Sequence, residues 1–129
     1  MIEAENFPGN ISRLGDTWQV PGNPVPGFSG AAALQTLPDN RTSAISNYAA
    51  TAPELSVTGS FATTGTHYVW VRGHGDRGGS DSLHIGIDGN EVPSSAGIGI
   101  PRTSGYEWSN GTHTLNVSGL GIHLSLIHI

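Results

Sequence analysis

Alternation of apolar and polar residues is the feature that most constrains how this chain can fold, and it is clearest from Ser82 to Asp88. Leu83, Ile85 and Ile87 fall on one side of an extended strand, and the polar or small residues between them fall on the other. A strand of this kind has one buried face and one solvated face. Asp88-Gly89 follows directly and suits the positive φ values of a tight turn, so the sequence predicts a β-hairpin here.

Short strands account for most of the remaining chain. Two further segments alternate clearly, Thr66 to Arg72 and Thr112 to Val117. The turn-rich stretches 21–29 and 38–48 show no helical periodicity longer than about one turn. The sequence therefore predicts an all-β fold, a β-sandwich or jelly roll of eight or nine short antiparallel strands, as one domain over residues 1–129. The other predicted strands are Ile2 to Phe7, Thr17 to Val20, Ala31 to Thr36, Leu55 to Phe61 and Tyr106 to Ser109.

Composition and charge limit the classes of partner. The chain has 19 Gly and 8 Pro among 129 residues, 12% charged residues and a formal net charge of −5. Its five basic residues, all arginines, are scattered rather than clustered, which argues against nucleic acid and anionic membranes as partners. No apolar run approaches the roughly 20 residues of a membrane span. Cysteine is absent, so neither disulfides nor thiol chemistry enters the interpretation.

Three stretches, taken in order, carry a resemblance to a known group of domains. They are IEAENF at 2–7, YVWVRG at 68–73 running on to Asp88-Gly89, and Trp108 followed by GTHTL at 111–115. Together they resemble the carbohydrate-binding modules of the β-jelly-roll type, the group that includes families 6 and 35. The resemblance spans nearly the whole chain, although none of the stretches is specific by itself.

The resemblance implies a function and a context. Such modules bind a polysaccharide or oligosaccharide without cleaving it, and they target an attached glycoside hydrolase, polysaccharide lyase or surface protein to glycans. We therefore expect a non-catalytic piece of a larger secreted bacterial protein, whose catalytic domain and signal peptide lie outside this sequence. The alternative is a structural or adhesive β-sandwich spacer whose aromatic residues all belong to the core.

The closing strand departs from the pattern of the group. Such modules usually end with Gly-Asn-Leu-Asp followed by apolar residues, whereas this chain has His123 and Ser125 at the Asn and Asp positions. In the group that this chain resembles, the Asn is a sugar contact and the Asp is a calcium ligand, and this chain has neither residue at those positions. Residues 124–129 are also similar to the translated end of a transposon used in sequencing libraries. We therefore predict an atypical or truncated last strand over 124–129, with apolar groups on both faces of an exposed edge.

Aromatic residues are the candidate sugar contacts, because sugars present apolar C–H faces ringed by hydroxyl groups. The resemblance matches Tyr106 to a sugar-stacking aromatic and Trp108 to a more buried one, although Tyr106 has structural packing as its alternative. We expect Trp70, which alternates with two valines in a strand, to pack in the interior. The predicted sugar-binding residues are Tyr106, Trp18, Phe28, Tyr48 and Asn40.

Glu3 and Glu5 are the candidate metal ligands. If both lie on a strand, their carboxylates share one face about 7 Å apart. Calcium takes six to eight oxygen ligands, so this pair is consistent with part of a structural calcium site, or with solvated edge carboxylates. Neighbours on one strand point in parallel and do not flank a scissile glycosidic bond. We therefore predict that the chain is not an enzyme and that calcium is its one candidate cofactor.

Overall fold

The computed structural model describes residues 1–39, 44, 46–76 and 81–128, with Ile122–His128 described through its backbone alone. Short antiparallel strands dominate these residues, so the prediction of an all-β fold is confirmed. The helical part described is one turn of α-helix, α1 at Tyr48–Thr51, and two 3₁₀ turns at Ala4–Asn6 and Pro93–Ser95. In the described ranges, no helix is long and apolar enough to cross a bilayer.

The described residues contain twelve strands rather than eight or nine, because several are ladders of two residues. The predicted strand from Thr66 to Arg72, for example, divides into two. The sandwich or jelly-roll arrangement of the strands stays a prediction. The strands are β1 Gly9–Ile11, β2 Thr17–Gln19, β3 Gln35–Leu37, β4 Glu54–Gly59, β5 Gly65–Val69, β6 Arg72–Gly73, β7 Ser82–Ile87, β8 Asn90–Glu91, β9 Ile98–Gly99, β10 Glu107–Trp108, β11 His113–Val117 and β12 Ile122–His128.

The predicted hairpin after β7 is confirmed. Ile87 pairs with Asn90, which leaves Asp88 and Gly89 as the two turn residues. Their φ angles are 50° and 74°, the left-handed values that a two-residue turn of this twist requires. Glycine accepts such a φ without strain, and aspartate is one of the few other residues that tolerates it.

The largest sheet has the strand order β1-β4-β12-β7-β8, with β9 also paired to β7. Strand β12 lies inside this sheet and pairs antiparallel with β4 on one side and with β7 on the other. The prediction that 124–129 forms an exposed edge is therefore wrong for residues 124–128. Residue 129 lies outside the described residues.

The apolar face of β7 forms the centre of the core, as its alternation predicts. Leu83 and Ile85 are buried together with Ile98 and Leu115. Leu115 belongs to β11, so the core lies between the large sheet and the β5–β11 pair. The partly buried residues that pack against this cluster are Val69, Val71, Ile87, Val92 and Ile100.

The opposite face of β7 is not solvated, and that part of the prediction is wrong. His84 on this face is buried, and the ring of Tyr48 stacks on it with 3.9 Å between ring centroids. Its Nδ1 lies 2.7 Å from Oε1 of Glu91. Helix α1 carries Tyr48 onto this face, and the local alternation of β7 contains no sign of such a distant covering segment.

The predicted strand from Ile2 to Phe7 is also wrong. The chain makes a 3₁₀ turn over Ala4–Asn6, in which the amide of Phe7 donates to the carbonyl of Ala4 at 3.1 Å. The first strand begins only at Gly9. Glu3 and Glu5 therefore do not share a strand face, and their positions follow from contacts made by their side chains.

Strands β5 and β6 together pair with β11 and β10 to form a two-stranded ribbon, which we call the ribbon. Val69 pairs with His113 and Arg72 pairs with Trp108. Three residues along one strand thus correspond to five along the other, so two extra residues form a bulge around Gly111. Between these pairs the amide of Ser109 donates to the carbonyl of Val71 at 2.7 Å, which keeps the ribbon continuous.

Candidate functional site

Tyr106 lies at the centre of an aromatic and basic cluster at the β10 end of the ribbon. Its ring and that of Phe28 meet edge to face, with 6.3 Å between centroids and an interplanar angle of 73°. The ring of His74 lies 6.0 Å from that of Tyr106. The guanidinium carbon of Arg72 lies 5.7 Å from the Tyr106 centroid. We call these four residues the Tyr106 cluster.

Arg72 positions the loop that carries Phe28. Its Nη2 donates to the carbonyl of Gly27 at 2.8 Å and to the carbonyl of Tyr106 at 3.4 Å. One guanidinium group therefore joins the loop to the ribbon. Because guanidinium is rigid and always charged, this connection holds the two aromatic rings in a defined relation.

The two N-terminal glutamates hold the same loop from its other side. Ser29 Oγ donates to Glu3 Oε2 at 3.2 Å, and the amide of Ala31 donates to Glu5 Oε1 at 2.7 Å. Gly30, with φ of 73°, passes so close that a Cβ there would overlap the Glu5 carboxylate. The segment that follows Phe28 is thus fixed by the acidic start of the chain.

Hydrogen bonds to the charged carboxylate lower the pKa of Glu5. The largest cause is its own backbone N–H, burial is the next largest and acts in the opposite direction, and the amides of Ala31 and Ala32 lower the pKa further. Stability from these bonds is present above the ordinary glutamate pKa and is lost as the pH falls through the lowered folded-state pKa.

Glu3 and Glu5 fit a calcium ion in the kind of atom they offer, since carboxylate oxygens are its preferred ligands. Both side chains approach Gly30, so the two carboxylates share one region. They supply two side chains toward a shell of about six to eight oxygens. Among the described side chains, no group of three or more His, Cys, Asp or Glu residues is arranged to hold a metal.

Tyr106 is partly buried, and burial raises the pKa of its hydroxyl above the ordinary tyrosine value, while the charge of Arg72 acts in the opposite direction. The phenol is therefore neutral at physiological pH and retains a hydroxyl donor. Phe28 packs against the ring at a steep angle and Arg72 lies over it, and the residue remains partly exposed to solvent.

Trp70 and Trp108 contradict their predicted burial. Trp70 is 57% exposed and Trp108 is 46% exposed. The phase of alternation explains both: Val69 and Val71 pack against the core on either side of Trp70, and the residue after Trp108, Ser109, is buried, so each tryptophan points outward. The two indoles line an open cleft of about 370 Å³ on the outer face of the ribbon.

The structure brings together two of the five predicted sugar-binding residues, Tyr106 and Phe28. Trp18 is 9% exposed, and its Nε1 donates to the carbonyl of Pro53 at 3.3 Å. Tyr48 stacks on His84, and Asn40 lies outside the described residues. Trp18 and Tyr48 therefore make other contacts and are not members of the Tyr106 cluster.

Sequence reasoning missed the roles of Arg72 and His74 in this cluster. Continuing the β6–β10 register by one residue places position 74 opposite position 106. The alternation that places Val69 and Val71 inside also places residues 70, 72 and 74 outside, and this pattern can be read from the sequence.

Comparisons of this chain with protein-family models, with curated proteins and with solved structures found no match.

Proposed function

We propose that this chain binds polysaccharide without cleaving it and that the Tyr106 cluster is the binding site. The observation that carries the proposal is the edge-to-face contact of Tyr106 with Phe28, supported by Arg72. Two aromatic surfaces set at a steep angle offer one wall for the C–H face of a sugar ring and a second for its edge. Aromatic surface with a few fixed polar groups is the usual composition of a small-molecule site.

Polar groups around the rings match the hydroxyls of a sugar. His74 offers ring nitrogens, Arg72 offers guanidinium donors, and Tyr106 offers a neutral hydroxyl. Few groups are desolvated in a site this open, so the expected dissociation constant lies between about micromolar and millimolar. From the resemblance described above, we also propose that the chain acts outside the cell as an ancillary module beside a catalytic domain.

Affinity electrophoresis tests the proposal directly. Folded protein is run through native gels that contain soluble xylan, mixed-linkage β-glucan, galactomannan or polygalacturonate, each beside a gel without polysaccharide. We expect retardation in at least one gel, and we expect free oligosaccharide of the same type to reverse it. Unchanged mobility in every gel, together with an empty glycan array, would favour the structural spacer instead.

We further propose that calcium occupies the region of Glu3 and Glu5 and stabilises the Phe28 loop. We expect a chelator to lower the melting temperature and added calcium to restore it. The variant with Glu3→Gln and Glu5→Gln should melt at one temperature in both conditions, because the amides keep oxygen acceptors but lose the charge that binds the ion. A wild-type melting temperature that does not respond to the chelator removes calcium from the proposal.

A further inference from the structure

The cleft between Trp70 and Trp108 lies outside the Tyr106 cluster and places two large aromatic side chains in solvent. Single exposed apolar residues are common in proteins, but two neighbouring exposed tryptophans are not, because tryptophan is highly buried on average. Contiguous exposed apolar surface is one of the features that ligand-binding grooves and interaction sites share. Trp70 also rests on the bulge, since a Cβ at Gly111 would overlap its indole ring.

The tryptophan cleft and the Tyr106 cluster share one face of the ribbon. Trp108 is paired with Arg72, whose guanidinium lies over Tyr106. Residues 70, 72 and 74 all lie on the outer side of the same chain segment. The distance from residue 70 to residue 74 along an extended chain is about 13 Å. The two aromatic sites therefore lie on one continuous surface, with Arg72 between them.

The polar residues along this surface indicate which ligand fits it. Arg72 and His74 lie among the rings, and Asn110 is exposed beside Trp108. An apolar partner would strip water from these groups without replacing their hydrogen bonds, which is costly. A chain of sugar rings offers a hydroxyl for each polar group and a C–H face for each aromatic ring, and the net charge of −5 disfavours an anionic membrane.

We infer that Trp70 and Trp108 form a second stacking subsite and that the ligand is an internal stretch of a polysaccharide chain lying along the ribbon. This inference rests on the proposed function, because it extends the same site. A surface open at both ends accepts a chain that continues in either direction. The bound unit is thus longer than the sugar held at the Tyr106 cluster alone.

Calorimetry on oligosaccharides cut from the polysaccharide that retards the protein tests this inference. For the wild type, the hexasaccharide should bind about tenfold or more tightly than the disaccharide, the scale of one buried aromatic contact. Trp70→Ala should lose this gain while binding the disaccharide as the wild type does. Leu120→Ala, which trims a 66% exposed residue beyond the opposite end of the ribbon, is the control and should keep the gain.

Tryptophan fluorescence gives a second readout that needs no substitution. Trp18 is buried, so a soluble quencher such as acrylamide acts mainly on Trp70 and Trp108. The hexasaccharide should protect this quenchable fluorescence, and the disaccharide should protect it much less. This measurement decides the question even if Trp70→Ala fails to fold.

The outcomes separate the inference from the proposed function. Equal affinity of the wild type for disaccharide and hexasaccharide, or an unchanged hexasaccharide gain in folded Trp70→Ala, overturns the second subsite and leaves sugar binding intact. If the wild type is not retarded in any polysaccharide gel, both the second subsite and the proposed function are overturned. A concentration-dependent dimer that Trp108→Ala dissociates, found by sedimentation, assigns the cleft to a second copy of the chain and also overturns the inference.

Discussion

Tyr106→Ala is expected to weaken glycan binding about tenfold or more, because it removes an aromatic sugar contact worth about 1–3 kcal/mol. Stability should change much less than for a core deletion, since the ring is only partly buried and lies outside the cluster of Leu83, Ile85, Ile98 and Leu115. Affinity electrophoresis and disaccharide calorimetry measure the binding, and urea unfolding measures the stability.

Two variants make this result specific. Tyr106→Phe keeps the ring and should retain most of the affinity, so it separates stacking from the hydroxyl. Tyr68→Ala removes an exposed tyrosine from β5, beyond the bulge, and should leave disaccharide binding unchanged. If Tyr106→Ala folds and is retarded like the wild type, Tyr106 is not the platform, and the tryptophan cleft becomes the primary site.

The hairpin and the core face of β7 were predictable because both depend on neighbouring residues. Alternation over Leu83, Ile85 and Ile87 sets which side is apolar, and the conformation of Asp88-Gly89 sets the turn. The burial of His84, on the opposite face of β7, was not predictable in this way. It is covered by Tyr48, which lies 36 residues away in sequence, and no local pattern encodes that contact.

The candidate site was predicted in part, and residue type misled the rest. Tyr106 and Phe28 were expected as contacts, and the structure places them together. Trp70 was expected inside because it lies between two valines in a strand, and Trp108 because the resemblance matches it to a buried aromatic, but both are exposed. For Trp70, the phase of the strand decides which face the side chain takes, because Val69 and Val71 occupy the core-facing side.

The prediction of a strand from Ile2 to Phe7 was wrong for another reason. Residues 2–7 resemble the opening strand of the group, but the interactions found in the structure are those of Glu3 and Glu5 with the segment at 29–32. Side-chain to backbone bonds of this kind compete with strand pairing and leave no periodic trace. The same bonds place the Phe28 loop, so the error in the fold and the position of the site have one cause.

Gly111→Ala is expected to destabilise the fold by about 2–5 kcal/mol, which is more than Tyr106→Ala should cost. Part of this cost arises because Gly111 has a φ of 65°, a left-handed conformation that costs an L-residue about 1–2 kcal/mol. The rest arises because the new methyl group overlaps the Trp70 ring, and overpacking of this kind costs about 1–3 kcal/mol. Urea unfolding with an unchanged m-value measures the sum.

Gly97→Ala separates the two contributions. Gly97 has nearly the same φ, 62°, but a Cβ there would meet no atom within 4 Å. The backbone cost and the lower entropy of the unfolded alanine chain are therefore common to both variants and cancel in their difference. The remaining difference is the cost of displacing Trp70, and it should appear together with loss of the hexasaccharide gain in Gly111→Ala alone. Equal destabilisation of the two variants would mean that Trp70 does not rest on Gly111, and the tryptophan cleft would then lack its support on the bulge.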